Sequence, residues 1–170
     1  MQDKHVLSVF VVNHPGVLSR VSGLFSRRGF NINSLSVGET EDPEFSRITI
    51  VVEGDNYALE QITRQLAKLF DVKRVTQFKP DASVCRELLL IKVKSAPEHR
   101  SLIIEAANIF RAKTVDLGAD SIIIELTGES SKIDAFIDLM RPYGILEIAR
   151  TGLTALERGS KSIKNHNIDG

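Results

Sequence analysis

The chain is short of several features that announce a function. It has one cysteine, Cys85, in 170 residues, which excludes an intrachain disulfide or a cysteine-based metal cluster and fits a reducing compartment. It has no excess of either charge, because 22 basic residues stand against 22 acidic ones. Proteins that bind nucleic acid or membrane surfaces concentrate positive charge, so neither partner is expected. It has no long apolar run. The stretch that follows Met1-Gln2-Asp3-Lys4-His5 is interrupted by Ser8, is too short for a membrane span, and lacks a small-residue cleavage site. A cytoplasmic protein is the reading. Finally, His5, His14, His99 and His166 are scattered, without a carboxylate or second ligand at a productive spacing. With no triad, metal motif or phosphate loop, the chain offers no catalytic residue and no metal site.

What is present is a folding pattern. Apolar residues make up 42% and charged residues 26%, proportions close to those of ordinary globular domains. Residues 5–12 are rich in β-branched and aromatic side chains and stop at Asn13-His14-Pro15-Gly16, which predicts a strand and a turn. Val17, Leu18, Val21, Leu24 and Phe25 then recur at helical spacing up to a glycine stop at Gly29. A weaker strand over 30–39, a polar loop over 40–44 and a strong strand over 46–53 follow. Gly54-Asp55 opens a helix whose apolar stripe runs from Leu59 to Phe70, and a strand over 72–78 closes the unit. The order is βαββαβ.

After the polar stretch Lys79-Pro80-Asp81-Ala82-Ser83, part of an expected linker that also holds Cys85, the order starts again. Strands are predicted over 87–94, 114–117, 121–127 and 145–149, with helices over 98–111 and from Ile133 to the stop at Pro142. The expected fold is α+β: two tandem ferredoxin-like βαββαβ domains with antiparallel sheets and helices on one face. The boundaries read as 1–79 for a ligand-sensing domain, 84–158 for a second domain and 159–170 for a mobile tail. Strand one presents apolar residues to both sides, so its second face needs a cover. The sister domain or a second chain is the expected one, which favours oligomerisation.

Two constellations carry possible chemistry. At Asn13-His14-Pro15-Gly16 a strand end feeds a helix, where unsatisfied N–H groups and the positive dipole end converge. Gly16 leaves those amides uncovered, so the turn is either an ordinary cap made by Asn13 or an anion site for a carboxylate. The second is Gly29-Phe30-Asn31-Ile32-Asn33, entering an expected edge strand. A helix of about 12 residues at about 1.5 Å rise, roughly 18 Å, separates the two, so one small ligand cannot touch both within a chain. Antiparallel pairing of two such strands about a two-fold axis would bring the Asn31 region of one chain toward the Gly16 turn of the other.

The run Asn13-His14-Pro15-Gly16-Val17-Leu18-Ser19-Arg20-Val21, continuing through Gly23 to Leu35, closely resembles the small regulatory subunit of acetohydroxyacid synthase, also called acetolactate synthase. The resemblance extends to Lys132–Phe136 and Glu147–Gly152 and implies an ACT domain followed by an ACT-like domain. It implies a non-catalytic partner in branched-chain amino-acid biosynthesis that activates a large catalytic subunit and confers feedback inhibition by valine. No cofactor is implied in this chain; thiamine diphosphate, Mg and FAD belong to the catalytic subunit. The amino acid is implied to bind where two ACT domains of a homodimer meet, at positions matching Asn13, Gly16, Val17 and Leu18 on one chain and Asn31, Ile32 and Asn33 on the other. The second domain's loop, Lys94-Ser95-Ala96-Pro97-Glu98, has no glycine and departs from that pattern.

Three other classes share the βαββαβ order. RNA-recognition domains need aromatic platforms on the central strands, and Arg47-Ile48-Thr49-Ile50-Val51 offers none. Small phosphatases of this fold need an arginine-bearing loop after strand one, which the turn lacks. A free-standing amino-acid-binding ACT regulator of another enzyme is the nearest alternative.

Overall fold

The first half of the chain is organised around β1 (Asp3–Val12), whose central residues Leu7 to Val11 are all buried. The structure is a computed structural model and describes residues 3–164; Met1, Gln2, His166 and the rest of 165–170, including the end of the expected tail, lie outside the described residues. After β1 come α1 (Val17–Arg27), β2 (Ile32–Glu39), β3 (Phe45–Gly54), α2 (Asn56–Ala67) and β4 (Val72–Gln77). A short 3-10 turn at Pro80–Ala82 leads to β5 (Ser83–Lys94), α3 (Arg100–Ile109), β6 (Lys113–Leu117), β7 (Ser121–Gly128), α4 (Ser130–Met140), β8 (Ile145–Arg150) and β9 (Thr154–Glu157). Among the described residues no helix is long and apolar enough to cross a membrane.

The chain divides into two units, one of residues 3–84 with 153–164, the other Cys85–Gly152. In the first the strand order is β2-β3-β1-β4, all antiparallel. Alternation along the strands puts Leu7, Val9 and Val11 opposite Ile50, Ile48 and Ser46, and the apolar ones face α1 and α2. Val21, Phe25, Ile62 and Leu66 close that layer. Asp55 caps α2 by accepting from the Ala58 N–H at 2.7 Å. The second unit repeats the plan with order β6-β7-β5-β8, its core made by Leu89, Ile91 and Val93 against Ile103, Ile133 and Phe136. Both are ferredoxin-like antiparallel sheets with two helices on one face, as the periodicity implied.

The structure departs from the sequence reading in four places. The apolar stripe of α2 was read to Phe70, but the helix ends at Ala67 and Phe70 is 89% exposed. Cys85 lies within strand β5 and not in a linker. The second unit closes at Gly152, whereas a domain to 158 was expected. Residues 159–164, read as the start of a mobile tail, include the buried Ile163, and Lys164 pairs with Glu41.

These last two differences have one cause. The second face of the first sheet carries Ser8, Phe10 and Thr49, all buried, with Phe10 stacked on Phe45 at 4.9 Å. Its cover includes the chain's own C-terminal segment, where the reading had looked to a sister domain or a second chain. The Leu153 N–H donates to Ser34 Oγ at 2.8 Å, Arg47 donates to the Ala155 carbonyl at 3.4 Å, and the Arg158 N–H donates to the Ala82 carbonyl at 2.8 Å. Leu153, Ala155 and Ile163 are buried along this strap. Ile163→Ala is therefore expected to cost about 2 kcal/mol, the lower end for truncating a buried isoleucine. Urea denaturation measures it, with the exposed Ser160→Ala as control; an unmoved midpoint in Ile163→Ala would mean that the segment is free.

Candidate functional site

The turn after β1 is held from three sides by backbone bonds. The Asn13 N–H donates to the Glu44 carbonyl at 2.7 Å, the Val12 N–H to the Asp71 carbonyl at 2.9 Å, and the His14 N–H to the Val12 carbonyl at 3.0 Å. Gly16 then takes φ +85°, a left-handed conformation open to glycine at little cost, and α1 begins. No side chain caps this helix. The capping role considered for Asn13 is thus not the one it plays: its Nδ2 donates to Glu39 Oε1 at 3.2 Å and to the Pro43 carbonyl at 3.0 Å. Among the described residues the Leu18 and Ser19 N–H groups find no acceptor, and Val17 N–H reaches the His14 carbonyl only at 3.4 Å. Two exposed donors at the positive end of a helix are what an anion requires.

A cation stands beside them. Arg20 curls back so that a Cβ placed on Gly16 would lie 3.2 Å from its Nη1, and its Nη2 is paired with Asp71, a mostly buried carboxylate. Arg20 lies on the exposed face of α1, outside its apolar stripe. The available signal was its position one turn after Gly16, where a basic residue opposes the helix dipole unless an acid holds it. Asp71 is that acid, and its place next to the bulge at Lys73, between the pairs Phe10–Arg74 and Val11–Val72, was not legible. Asn13, His14, Glu44, Phe45 and Lys73 line an open cleft of about 480 Å³ at this end.

The other end of α1 is finished by a Schellman motif. The Phe30 N–H donates to the Phe25 carbonyl at 3.0 Å, the Gly29 N–H to the Ser26 carbonyl at 3.1 Å, Gly29 has φ +74°, and the Phe25 and Phe30 rings meet edge to face at 6.2 Å. Phe30 also fills the space a Gly54 side chain would take, 2.9 Å from its ideal Cβ. The chain is thereby aimed into β2, an edge strand. Asn31 is exposed, Ile32 is half-buried against the core, and Asn33 is a bulge between the pairs Ile32–Val52 and Ser34–Val51, its Nδ2 donating to Glu53 Oε1 at 3.0 Å. The structure brings Asn13, Gly16, Val17 and Leu18 together, and Asn31, Ile32 and Asn33 together. The two groups sit at opposite ends of an 11-residue helix, about 16 Å apart along its axis. Val17 is buried, so its side chain belongs to the core and only its backbone faces the turn.

The corresponding entry in the second unit is built differently. Ser95 is fully buried, its N–H donates to the Asp120 carbonyl at 2.9 Å, and Arg100 donates to Ser95 Oγ and to the Gly118 and Ala119 carbonyls. His99 precedes α3 in a right-handed conformation, with no left-handed glycine.

Sequence relatives match most of the chain. Residues 7–74 match the family described as AHAS small subunit-like ACT domain, and residues 86–159 match the small subunit of acetolactate synthase. A probable acetolactate synthase small subunit of Archaeoglobus fulgidus is 56% identical over 158 residues, covering 93% of this chain and 99% of that one. The chain belongs to the acetolactate synthase small subunit family. The family's small subunit of Bacillus subtilis is 50% identical, covering 96% of each chain. The crystal structure of the acetolactate synthase small subunit from Thermotoga maritima superposes with a TM-score of 0.87 at 44% identity, covering 94% of this chain and 99% of that one. An ACT domain in a small subunit of this family carries a regulatory role.

Among the described residues no group of three or more His, Cys, Asp or Glu is placed to hold a metal. Burial pushes the Cys85 thiol up, Glu129 adds to this, and Arg86 opposes it. Cys85 should therefore alkylate more slowly than free cysteine at pH 8, measured with iodoacetamide; a faster rate would contradict this. At the turn, Gly16→Ala is expected to cost about 1–2 kcal/mol for the left-handed backbone alone. Arg20→Ala in that background relieves the contact with Nη1 and also removes the Asp71 pair, so thermal melts of both single variants and the double variant, read as a cycle, separate the contributions.

Proposed function

We propose that this chain is the non-catalytic regulatory subunit of acetolactate synthase in branched-chain amino-acid biosynthesis, activating a thiamine-diphosphate-dependent catalytic subunit and conferring feedback inhibition by valine. The catalytic subunit holds the cofactors, thiamine diphosphate, Mg and FAD. The observation that carries the reading is the division of the candidate site between the two ends of α1. Valine has too short a reach to span a helix of 11 residues, so the amino acid is sensed where two ACT domains of a homodimer meet. Pairing through the exposed edges of β2 supplies that meeting and removes an unpaired strand edge.

In this arrangement the ligand carboxylate lies on the Leu18 and Ser19 amides beside Gly16, with the Val17 backbone forming the floor. Asn13 has committed both N–H groups to Glu39 and Pro43, so it presents its carbonyl oxygen, an acceptor suited to the ligand ammonium. Asn31, Ile32 and Asn33 of the second chain complete the pocket, with carbonyl groups toward the ammonium and Ile32 toward the branched side chain. Because the ligand touches both chains, its binding and the geometry of the dimer are thermodynamically linked, and the catalytic subunit responds to that geometry. Membership of the small-subunit family favours this over a free-standing regulator of another enzyme.

Reconstitution with the cognate large subunit tests both halves. The wild-type chain is expected to raise its activity and to make it inhibitable by valine. Gly16→Asp places a carboxylate against the amides meant for the ligand; aspartate visits left-handed backbone more readily than most residues. Activation should persist while valine sensitivity falls at least about tenfold, the equivalent of one lost charge-assisted contact. Undiminished inhibition in Gly16→Asp would refute the site, and no activation by the wild-type chain would refute the function.

A further inference from the structure

Beneath the C-terminal strap, on the sheet face of the first unit away from its helices, lies a cavity of about 180 Å³. Arg47, Thr76 and Phe78 form its floor, and Glu157, Lys161 and Ile163 its roof. Arg47 is half-buried and uses Nη1 to donate to the fully buried Ser8 Oγ at 3.1 Å and to the Ala155 carbonyl at 3.4 Å. Among the described residues no carboxylate lies within 4.0 Å of this guanidinium, and no cation within that distance of Glu157. Nε and Nη2 of Arg47 thus remain without acceptors at a cavity wall. With no buried polar atom left unpaired among the described residues, these two nitrogens are open to the cavity, and a guanidinium with a free edge is suited to gripping a carboxylate in two-point fashion.

We propose that this cavity is a second ligand site, separate from the Gly16 turn, that takes a small α-amino acid as its zwitterion. The size sets the class, since pockets for drug-sized molecules start near roughly 300 Å³ and this one, at about 180 Å³, suits a molecule the size of a small amino acid. Charge sets the orientation. The ligand carboxylate meets Arg47, with Lys161 reinforcing it, and the ammonium meets Glu157. A short aliphatic side chain lies between Phe78 and Ile163, both buried and apolar. Burial lowers the Arg47 pKa while Glu157 raises it, which is the electrostatic condition that a bound carboxylate relieves. A ligand there bridges sheet and strap, so occupancy fastens residues 153–164 to the face they cover. The inference does not depend on the interface site.

The test uses the full chain labelled with ¹⁵N, following the Arg47 Nε–H resonance, which is assigned by its loss in Arg47→Lys. L-valine is expected to shift it saturably in the wild type and equally in Gly16→Asp, where the interface site is blocked. Glu157→Gln should weaken L-valine at least about tenfold, as loss of a charged hydrogen bond does. 3-Methylbutanoate, which lacks the ammonium, should bind Glu157→Gln at least as tightly as the wild type, because a neighbouring negative charge is removed. Absence of a saturable shift with L-valine into the tens of millimolar overturns the proposal. So does loss of the shift in Gly16→Asp, or an L-valine affinity that Glu157→Gln leaves unchanged.

Discussion

Burial of both faces of β1 is the constraint on which the first unit depends. Leu7, Val9 and Val11 point to the helices, while Ser8 and Phe10 point the other way and are also shielded from water. A ferredoxin-like unit has helices for one face only, so the second needs a cover from elsewhere. Here the chain returns after its second unit and lays a strap across it. The apolar strap residues Leu153, Ala155 and Ile163 lose exposed surface, and Arg47 and Ser34 take up strap backbone groups. The same strand end that creates this demand also delivers Asn13 and Gly16 to the start of α1, so packing and the candidate site share an origin.

Helix α1 is the second fixed element, because both of its ends are set by left-handed glycines, Gly16 and Gly29. One end is left chemically open, with unpartnered amides and a tethered Arg20. The other is closed by the Schellman bonds and the Phe25–Phe30 contact. A rod of defined length between an open turn and an edge strand holds two groups of polar residues apart. That separation is the geometry on which the proposed two-chain site rests. The second unit is tied differently: Arg100 at the start of α3 donates to Ser95 Oγ and to the Gly118 and Ala119 carbonyls. The two units share topology while differing in the residue before the helix, a left-handed Gly16 in one and a right-handed His99 in the other.

Much of the fold was legible along the chain. Alternation in Val6–Val12 and Arg47–Val52, the stripe from Leu59 to Leu66 and the repeat of the same order after Pro80 all report local periodicity, which a strand or helix converts directly into a buried face. Elements were misjudged where tertiary context overrides local pattern. Leu69 and Phe70 continue the α2 stripe in sequence, yet the helix has ended and the Phe70 ring stands in solvent beside Lys73. The strap was read as domain end and tail because its apolar residues, Leu153, Ala155 and Ile163, are too sparse to form a periodic signal. Their burial comes from a surface more than a hundred residues earlier in the chain.

The sequence by itself determined the class of fold, the family, and the positions where backbone conformation requires glycine, since these rest on patterns within a dozen residues. Only the tertiary structure decided what those residues face. It turned Asn13 from a helix cap to a partner of Glu39 and Pro43, set Arg20 against Gly16 through Asp71, made Asn33 a bulge, and placed Arg47 beneath the strap. Each of these joins residues distant in sequence, and a hydrogen bond or ion pair across such a gap leaves no periodicity for a linear reading to detect.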